Sequence, residues 1–317
     1  MGYDSEHGAA NSLSAKQVIA VVGATGTGKT ALSLSLARQL VARGQRAEIV
    51  NADAMQLYRG MDIGTAKLSY AERAGIPHHL LDVLDVTQES SVAWYQREAR
   101  RVIDDIADRG ATPILVGGSG LYVSSVIFNY DFPARDSELR VRLEEQLRNE
   151  GASALFERLV TVDPQTAHRI GPHNARRVIR ALEVAELTGT TVTGTRGDET
   201  TQWRPTVLVG LAVPRDRLVE RLDNRVHRMW ETGFVDEVSG LISKGIAQGV
   251  TASRAIGYAQ VLAYLAGEMT RDDAIAQTQH LTRRYARRQV SWFKRYSALE
   301  WLSAEDERAV DKTLDRL

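Results

Sequence analysis

Val18-Ile19-Ala20-Val21-Val22 runs straight into Gly23-Ala24-Thr25-Gly26-Thr27-Gly28-Lys29-Thr30, and Ala31-Leu32-Ser33-Leu34 follows. The apolar run from Gln17 to Val22 reads as a buried strand and Ala31 to Arg43 as a helix. Between them, Gly23 to Thr30 fits G-x-x-x-x-G-K-[ST] in the strand–turn–helix context that the motif requires. Glycines let backbone N–H groups turn inward around phosphate oxygens. The helix N-terminus adds partial positive charge, Lys29 adds a full one, and Thr30 offers a hydroxyl to Mg²⁺. The stretch points to a bound phosphate compound without saying which.

Outward from this cradle the chain alternates. Glu48 to Val50 reads as a second strand, Tyr95 to Asp108 as a helix ending at Gly110, and Pro113 to Val116 as a further buried strand. Such alternation implies a parallel sheet covered on both faces. From Asp136 to His173 the chain is charged and helical, and Arg177 to Leu187 is another helix. A Thr- and Gly-rich loop is expected over residues 190–201, before a returning core strand at Thr206 to Val213. Helices are expected over Leu218 to Lys244, Ser253 to Leu265 and Asp272 to Arg295. The fold expected is α/β, a P-loop NTPase-like parallel sheet core with a helical insertion domain. Residues 1–16 are expected as a flexible tail, 17–121 and 201–317 as the catalytic core, and 122–200 as the insertion.

Composition bounds the chemistry. At 317 residues the chain can bury roughly three-quarters of its extended surface without staples. It has no cysteine, which excludes disulfides, thiolate catalysis and sulfur-ligated zinc. Forty basic and forty acidic side chains cancel, so any polyanion site must come from local clustering. The uncharged stretch from Thr112 to Tyr130 holds Pro113, Gly117, Gly118 and Gly120, which suits a strand, turn and helix start rather than a membrane span. With no signal peptide read in residues 1–16, a soluble, cytoplasmic protein is expected.

The acids narrow the reaction. A nucleotide hydrolase or kinase usually places an Asp at the end of another apolar strand to hold Mg²⁺. Here Ile114-Leu115-Val116 runs instead into Gly117-Gly118-Ser119-Gly120. The acid that does follow a strand is Asp53, after Ile49-Val50-Asn51-Ala52. In parallel sheets ligands sit at the carboxyl ends of the strands, so Asp53 should face the same crevice as Lys29. A carboxylate there can coordinate Mg²⁺, act as a general base, or simply cap a turn.

Asn51-Ala52-Asp53-Ala54-Met55-Gln56-Leu57-Tyr58-Arg59-Gly60-Met61-Asp62-Ile63-Gly64-Thr65-Ala66-Lys67 closely resembles the signature segment of bacterial tRNA dimethylallyltransferases. His78-His79-Leu80-Leu81-Asp82, Leu115 to Tyr122, Arg176 to Glu183, Arg254-Ala255-Ile256-Gly257-Tyr258 and Arg287 to Trp292 continue the likeness in order. The resemblance implies transfer of a dimethylallyl group from its diphosphate to N6 of adenine 37, next to the anticodon. The tRNAs would be those reading codons that begin with U, and the products N6-isopentenyladenosine and diphosphate. It casts Asp53 as the base for N6. Lys29, Thr30, the backbone amides and Mg²⁺ would stabilise the leaving diphosphate, and Arg225 would reach it from a later helix. It also implies tRNA contacts at Asp53, Ala54, Met55, Gln56, Ser119 and Arg176, Arg177, Val178, Ile179 and Arg180. Two departures stand out. Ala54 replaces the Ser common after the catalytic Asp, and a chain without cysteine lacks the C-terminal zinc finger that eukaryotic relatives can carry, which points to the bacterial form.

Basic residues cluster in three places. Arg217, Arg221, Arg225 and Arg228 share a helical stripe. Arg271 to Arg295 carries seven basic and two acidic residues, among them Arg283, Arg284, Arg287 and Arg288. Gln165 to Arg180 carries four arginines and no acid. Three such clusters in a neutral chain favour an RNA footprint, with Arg283 and Arg287 as further tRNA contacts. Trp292 could stack on a base or pack in the core, and His78 and His79 lack a third metal ligand. The expected partners are the tRNA anticodon stem–loop and dimethylallyl diphosphate, with Mg²⁺ as cofactor, no membrane, and a monomeric chain. An ATP-dependent small-molecule phosphotransferase and a nucleotide-dependent RNA-binding switch remain the alternatives.

Overall fold

The computed structural model describes residues 17–133, 135–189 and 198–317. The expected tail, residues 1–16, lies outside these, as does most of the loop expected over 190–201. The chain opens with β1 (Val18–Gly23), α1 (Lys29–Ala42), β2 (Arg46–Asn51) and the two-residue β3 (His78–His79). Next come α2 (Val92–Asp108), β4 (Ala111–Gly117), α3 (Gly120–Ile127) and the short β5 (Phe128–Asn129). A helical run follows in α4 (Ser137–Val162), α5 (Pro164–Ile170) and α6 (Ala175–Thr188), then β6 (Asp198–Gln202) and β7 (Thr206–Ala212). The chain closes with α7 (Arg215–Glu231), α8 (Phe234–Ile242), α9 (Tyr258–Leu265), α10 (Arg271–Phe293), β8 (Glu300–Ser303) and α11 (Ala309–Leu314).

Two compact units result. Among the described residues the first comprises 17–127 and 202–317, the second 128–133, 135–189 and 198–201. The changeover expected at Tyr122 falls inside α3, which stays with the first unit through Ile127. In that unit the six strands lie in the order β3-β2-β4-β1-β7-β8, and every pairing is parallel. Ile19, Val21, Ile49, Ile114, Val207 and Val209 pack from the sheet against Leu36 and Leu40 of α1 and Leu314 of α11. The strands are apolar almost throughout because helices cover both faces. The chain leaves this unit at Ile127 and re-enters it at Gln202, and the next residue, Trp203, donates its N–H to Ile127 O at 2.7 Å.

The second unit is built on α4 to α6. Asp136 caps α4 through bonds from the N–H groups of Glu138 and Leu139, and Asn174 caps α6. Its core is Leu139, Leu143, Leu155, Leu159, Ala167, Val178, Ile179 and Leu182. β5 and β6 form a two-stranded sheet, so the end of the expected loop is strand instead.

Several expectations change. The single helix expected from Leu218 to Lys244 is two, because Gly233 takes a left-handed conformation (φ 98°) between α7 and α8. Ser253 to Leu265 likewise divides into a 3₁₀ turn (Ala252–Arg254) and α9. β3 and β8 were not expected; two and four residues long, they are too short for a period to register. No helix among the described residues is long and apolar enough to cross a membrane.

Candidate active site

The phosphate loop sits at the carboxyl end of β1, in the middle of the sheet, flanked by β4 and β7. Within the loop, Thr27 Oγ1 donates to Ala24 O at 2.9 Å and Lys29 Nζ donates to the same carbonyl at 2.7 Å. Two distant side chains grip it from outside. Arg225 of α7 donates from Nη1 to Thr25 Oγ1 at 2.9 Å. Gln289 of α10 accepts from Thr25 N–H at 2.9 Å and donates from Nε2 to Gly118 O at 2.8 Å. One buried amide therefore ties the phosphate loop to the glycine-rich loop after β4. A Cβ on Gly118 would lie 2.3 Å from Gln289 Nε2, and one on Gly117 2.4 Å from Ala52 O. These glycines permit close packing.

Asp53 is aimed by its neighbours. Asn51, at the end of β2, accepts from Asp53 N–H at 2.9 Å and donates to Asp53 O and Leu80 O. Tyr95 Oη in turn holds Asn51 O at 2.8 Å. One Asp53 carboxylate oxygen accepts from Met55 N–H at 2.9 Å. Asp53 lines a cavity of about 270 Å³ with Thr25, Ser119, Arg225, Tyr258 and Tyr285. Arg225 also lines a larger cavity of about 900 Å³ that reaches Gly26, Lys67 and Arg228.

Charges at the site act on one another. Burial lowers the Lys29 ammonium to about 8, Asp53 opposing the shift and Arg225 adding to it. Burial also lowers Arg225, against the pull of Asp53 and Tyr258. Tyr285 is raised to about 12 by burial and by Asp53. Asp53, Lys29 and Arg225 thus form one cluster: a carboxylate beside two cations whose charge is poorly solvated and would be well matched by an anion.

Thr30 is exposed in the first turn of α1. Among the described residues no group of three or more His, Asp or Glu could hold a metal ion. A threonine hydroxyl with diphosphate oxygens and water suits Mg²⁺, which favours few protein ligands and hard oxygens.

The other expected contacts divide. Ala54 N–H donates to Ser119 Oγ at 3.3 Å, Met55 lines the Asp53 cavity, and Gln56 Nε2 donates to Thr65 O at 3.1 Å. In the second unit Arg176 and Arg177 are exposed in the first turn of α6. Val178 and Ile179, expected at the tRNA, are 1% and 2% exposed and belong to the core, so they cannot present a surface. Arg180 is committed to Glu183, fully buried, at 2.9 Å. Arg283 pairs with both oxygens of Asp223 at 2.7 Å, while Arg287 is exposed. Arg217 and Arg221 both face Glu305, so the stripe on α7 serves two purposes and only Arg225 reaches the phosphate loop. Trp292 donates from Nε1 to Ser124 Oγ and Tyr296 Oη and packs against Gly120, the core alternative of the two. His78 and His79 form the sheet-edge strand, with His79 against Glu48.

Sequence reasoning assigned no role to Gln289, Tyr285 or Glu237. Glu237 accepts from the N–H groups of Asp62, Ile63 and Gly64 and from Tyr258 Oη, and so shapes the segment beside Asp53. Gln289 lies within the segment Arg287 to Trp292, but nothing local marks its partners. Glu237 and Tyr285 carry no local signal at all.

A family model described as IPP transferase matches residues 56–296. A tRNA dimethylallyltransferase of Clavibacter sepedonicus is 59% identical over 300 residues, covering 95% of this chain and 97% of its own. One from Thermobifida fusca is 53% identical over 93% of this chain and 92% of its own. Among solved structures, the tRNA isopentenylpyrophosphate transferase of Bacillus halodurans is 38% identical with a TM-score of 0.68, covering 95% of each chain. A eukaryotic dimethylallyltransferase acting on tRNA is 29% identical with a TM-score of 0.77, covering 95% of this chain and 77% of that one.

Proposed function

The chain belongs to the IPP transferase family, and from that premise we propose that its phosphate loop holds dimethylallyl diphosphate while Asp53 takes a proton from the acceptor adenine of tRNA. The reaction moves a dimethylallyl group to N6 of adenine 37, giving N6-isopentenyladenosine and diphosphate. Adenine N6 is a weak nucleophile. As it attacks C1 of the dimethylallyl group, the C1–O bond breaks and its electron pair leaves with diphosphate. The proton on N6 passes to the Asp53 carboxylate. Negative charge builds on the diphosphate, where Lys29, Arg225 and the loop amides would stabilise it. Mg²⁺, held through Thr30, supplies further charge neutralisation when bound. Arg225, touching Thr25 and lining the Asp53 cavity, keeps the leaving group and the base within one site.

One observation carries this reading: Asp53 lies in the same charged cluster as Lys29 and Arg225, while β4 ends in Gly117, packed on Ala52, and Gly118, packed on Gln289. A phosphotransferase would want a carboxylate where those glycines are. The second unit, with Arg176 and Arg177 exposed, is the surface we assign to the anticodon stem–loop. The target base must leave its stack to reach Asp53, and loops make that easier than duplexes. One copy of the chain carries every group named, which is compatible with the further proposal of a monomer acting on tRNA in the cytoplasm.

The test is incubation with dimethylallyl diphosphate, Mg²⁺ and unmodified tRNA, followed by nucleoside mass analysis. N6-isopentenyladenosine should form, and Asp53→Asn should slow it roughly 10²–10⁴-fold with tRNA affinity little changed. Wild-type turnover in Asp53→Asn would move the base role elsewhere. Steady phosphate release from ATP at a comparable rate would favour the phosphotransferase.

A further inference from the structure

Tyr285 stands on α10 with its hydroxyl 3.3 Å from Ser119 Oγ, and Ser119 Oγ accepts from Ala54 N–H at 3.3 Å. Both side chains line the cavity that holds Asp53. The Ser119 contact is longer than a good O–H···O bond of roughly 2.5–3.0 Å, and the Gln289 side chain also reaches the hydroxyl, so the phenol has two standing partners and can exchange the long Ser119 contact for a better acceptor. Its ring is not loose. One turn further on, Gln289 is fixed at both ends of its amide, Ala286 and Gln289 are buried, and the Arg288 guanidinium stands 5.9 Å from the ring centre. The phenol, raised to about 12, keeps its proton throughout the neutral range and is a donor there.

We propose that Tyr285 reads the acceptor base, its hydroxyl donating to the ring nitrogen beside N6 while Asp53 accepts from N6 itself. The inference rests on the role given to Asp53 above. A fixed donor next to a carboxylate discriminates against an anion, because the carboxylate repels it. It complements a neutral edge that sets an amino donor beside a ring-nitrogen acceptor. Adenine has that edge, with N1 or N7 flanking the amino group. Guanine and uracil place a carbonyl and a ring N–H on their pairing edges, which reverses both contacts. Ser119, at 3.3 Å, is the partner from which the hydroxyl turns, while the Gln289 side chain stays beside it.

The experiment is a cycle between protein and base. Wild type and Tyr285→Phe are assayed for kcat/KM on anticodon stem–loop RNAs carrying adenosine, 1-deazaadenosine or 7-deazaadenosine at the acceptor position. Tyr285→Phe should lose roughly 3- to 10-fold on adenosine, the worth of one neutral hydrogen bond. That loss should vanish on whichever analogue lacks the contacted nitrogen and persist on the other. The melting temperature and the KM for dimethylallyl diphosphate should not move, as they would if Tyr285 merely supported the fold. Equal losses on all three RNAs, or no loss on adenosine, would overturn the proposal. If Tyr285→Phe does not fold, the wild-type series decides: a drop confined to one analogue supports the contact, and equal rates on all three overturn it. Full activity in Asp53→Asn alongside a coupled Tyr285 cycle would fault the base assignment and leave this contact standing.

Discussion

Replacing Gln289 with Leu should damage the site without touching a charged group. The substitution keeps the side chain's approximate size, yet it strands two polar atoms. Thr25 N–H loses its 2.9 Å acceptor and Gly118 O its 2.8 Å donor, around a side chain that is 4% exposed. A stranded buried backbone group costs about 1–3 kcal/mol, less for a carbonyl that can find water. The pair should then lower stability by about 2–4 kcal/mol. At roughly 2–4 °C per kcal/mol for a unit of this size, calorimetry should show a fall of about 5–15 °C. The phosphate loop would also lose its tie to the loop after β4, so the KM for dimethylallyl diphosphate should rise. Gln289→Glu separates the two bonds, since a carboxylate can accept from Thr25 but cannot donate to Gly118. It should therefore retain more stability than Leu at alkaline pH only if the Thr25 bond dominates. A Leu variant melting within 1–2 °C of wild type, with unchanged KM (roughly the calorimetric effect of surface changes), would refute the idea that this amide holds the two loops together.

Three further outcomes follow from the same geometry. Lys29 titrates near 8, and only its charged form is stabilised by a diphosphate. Affinity for the diphosphate, measured by calorimetric titration, should be full below about pH 8 and fall as pH rises through it, and Lys29→Arg should flatten that profile. Removing Arg176 and Arg177 together should lower the slope of log tRNA affinity against log salt by about 1–1.5 (roughly 0.7 per phosphate contact on single strands), and an unchanged slope would put the tRNA on another surface. Arg180→Ala should instead destabilise the second unit, because Glu183 is fully buried beside it; the loss should fall short of the roughly 3–5 kcal/mol of a stranded charge, since Arg140 remains 3.6 Å away. Chemical denaturation of Arg180→Ala and Arg140→Ala measures both terms.

What is local is legible in the residues alone. A cradle that needs Gly, Lys and Thr at fixed spacing, opened by an apolar strand and closed by a helix, can be read from Val18 to Leu34, because backbone turns and helix starts are set by adjacent residues. Asp53 was legible for the same reason: an acid directly after a strand of a parallel sheet faces the ligand edge. Val178, Ile179 and Leu182 recur at helical spacing, so the inward face of α6 is also local information, and it is the family resemblance that places Val178 and Ile179 at the tRNA. Arg180 and Glu183 stand three apart on one helix, so their pairing is local, but the sequence could not separate Arg225 from Arg217 and Arg221 on the same stripe, since Glu305 meets the latter two from eighty or more positions away. Tertiary structure alone decided that Gln289 closes the phosphate loop across 264 residues, that Glu237 shapes the turn at Asp62 to Gly64, and that Tyr285 looks into the Asp53 cavity. Buried polar groups must find partners wherever folding brings them, and the partner's place along the chain leaves no trace in the residues on either side.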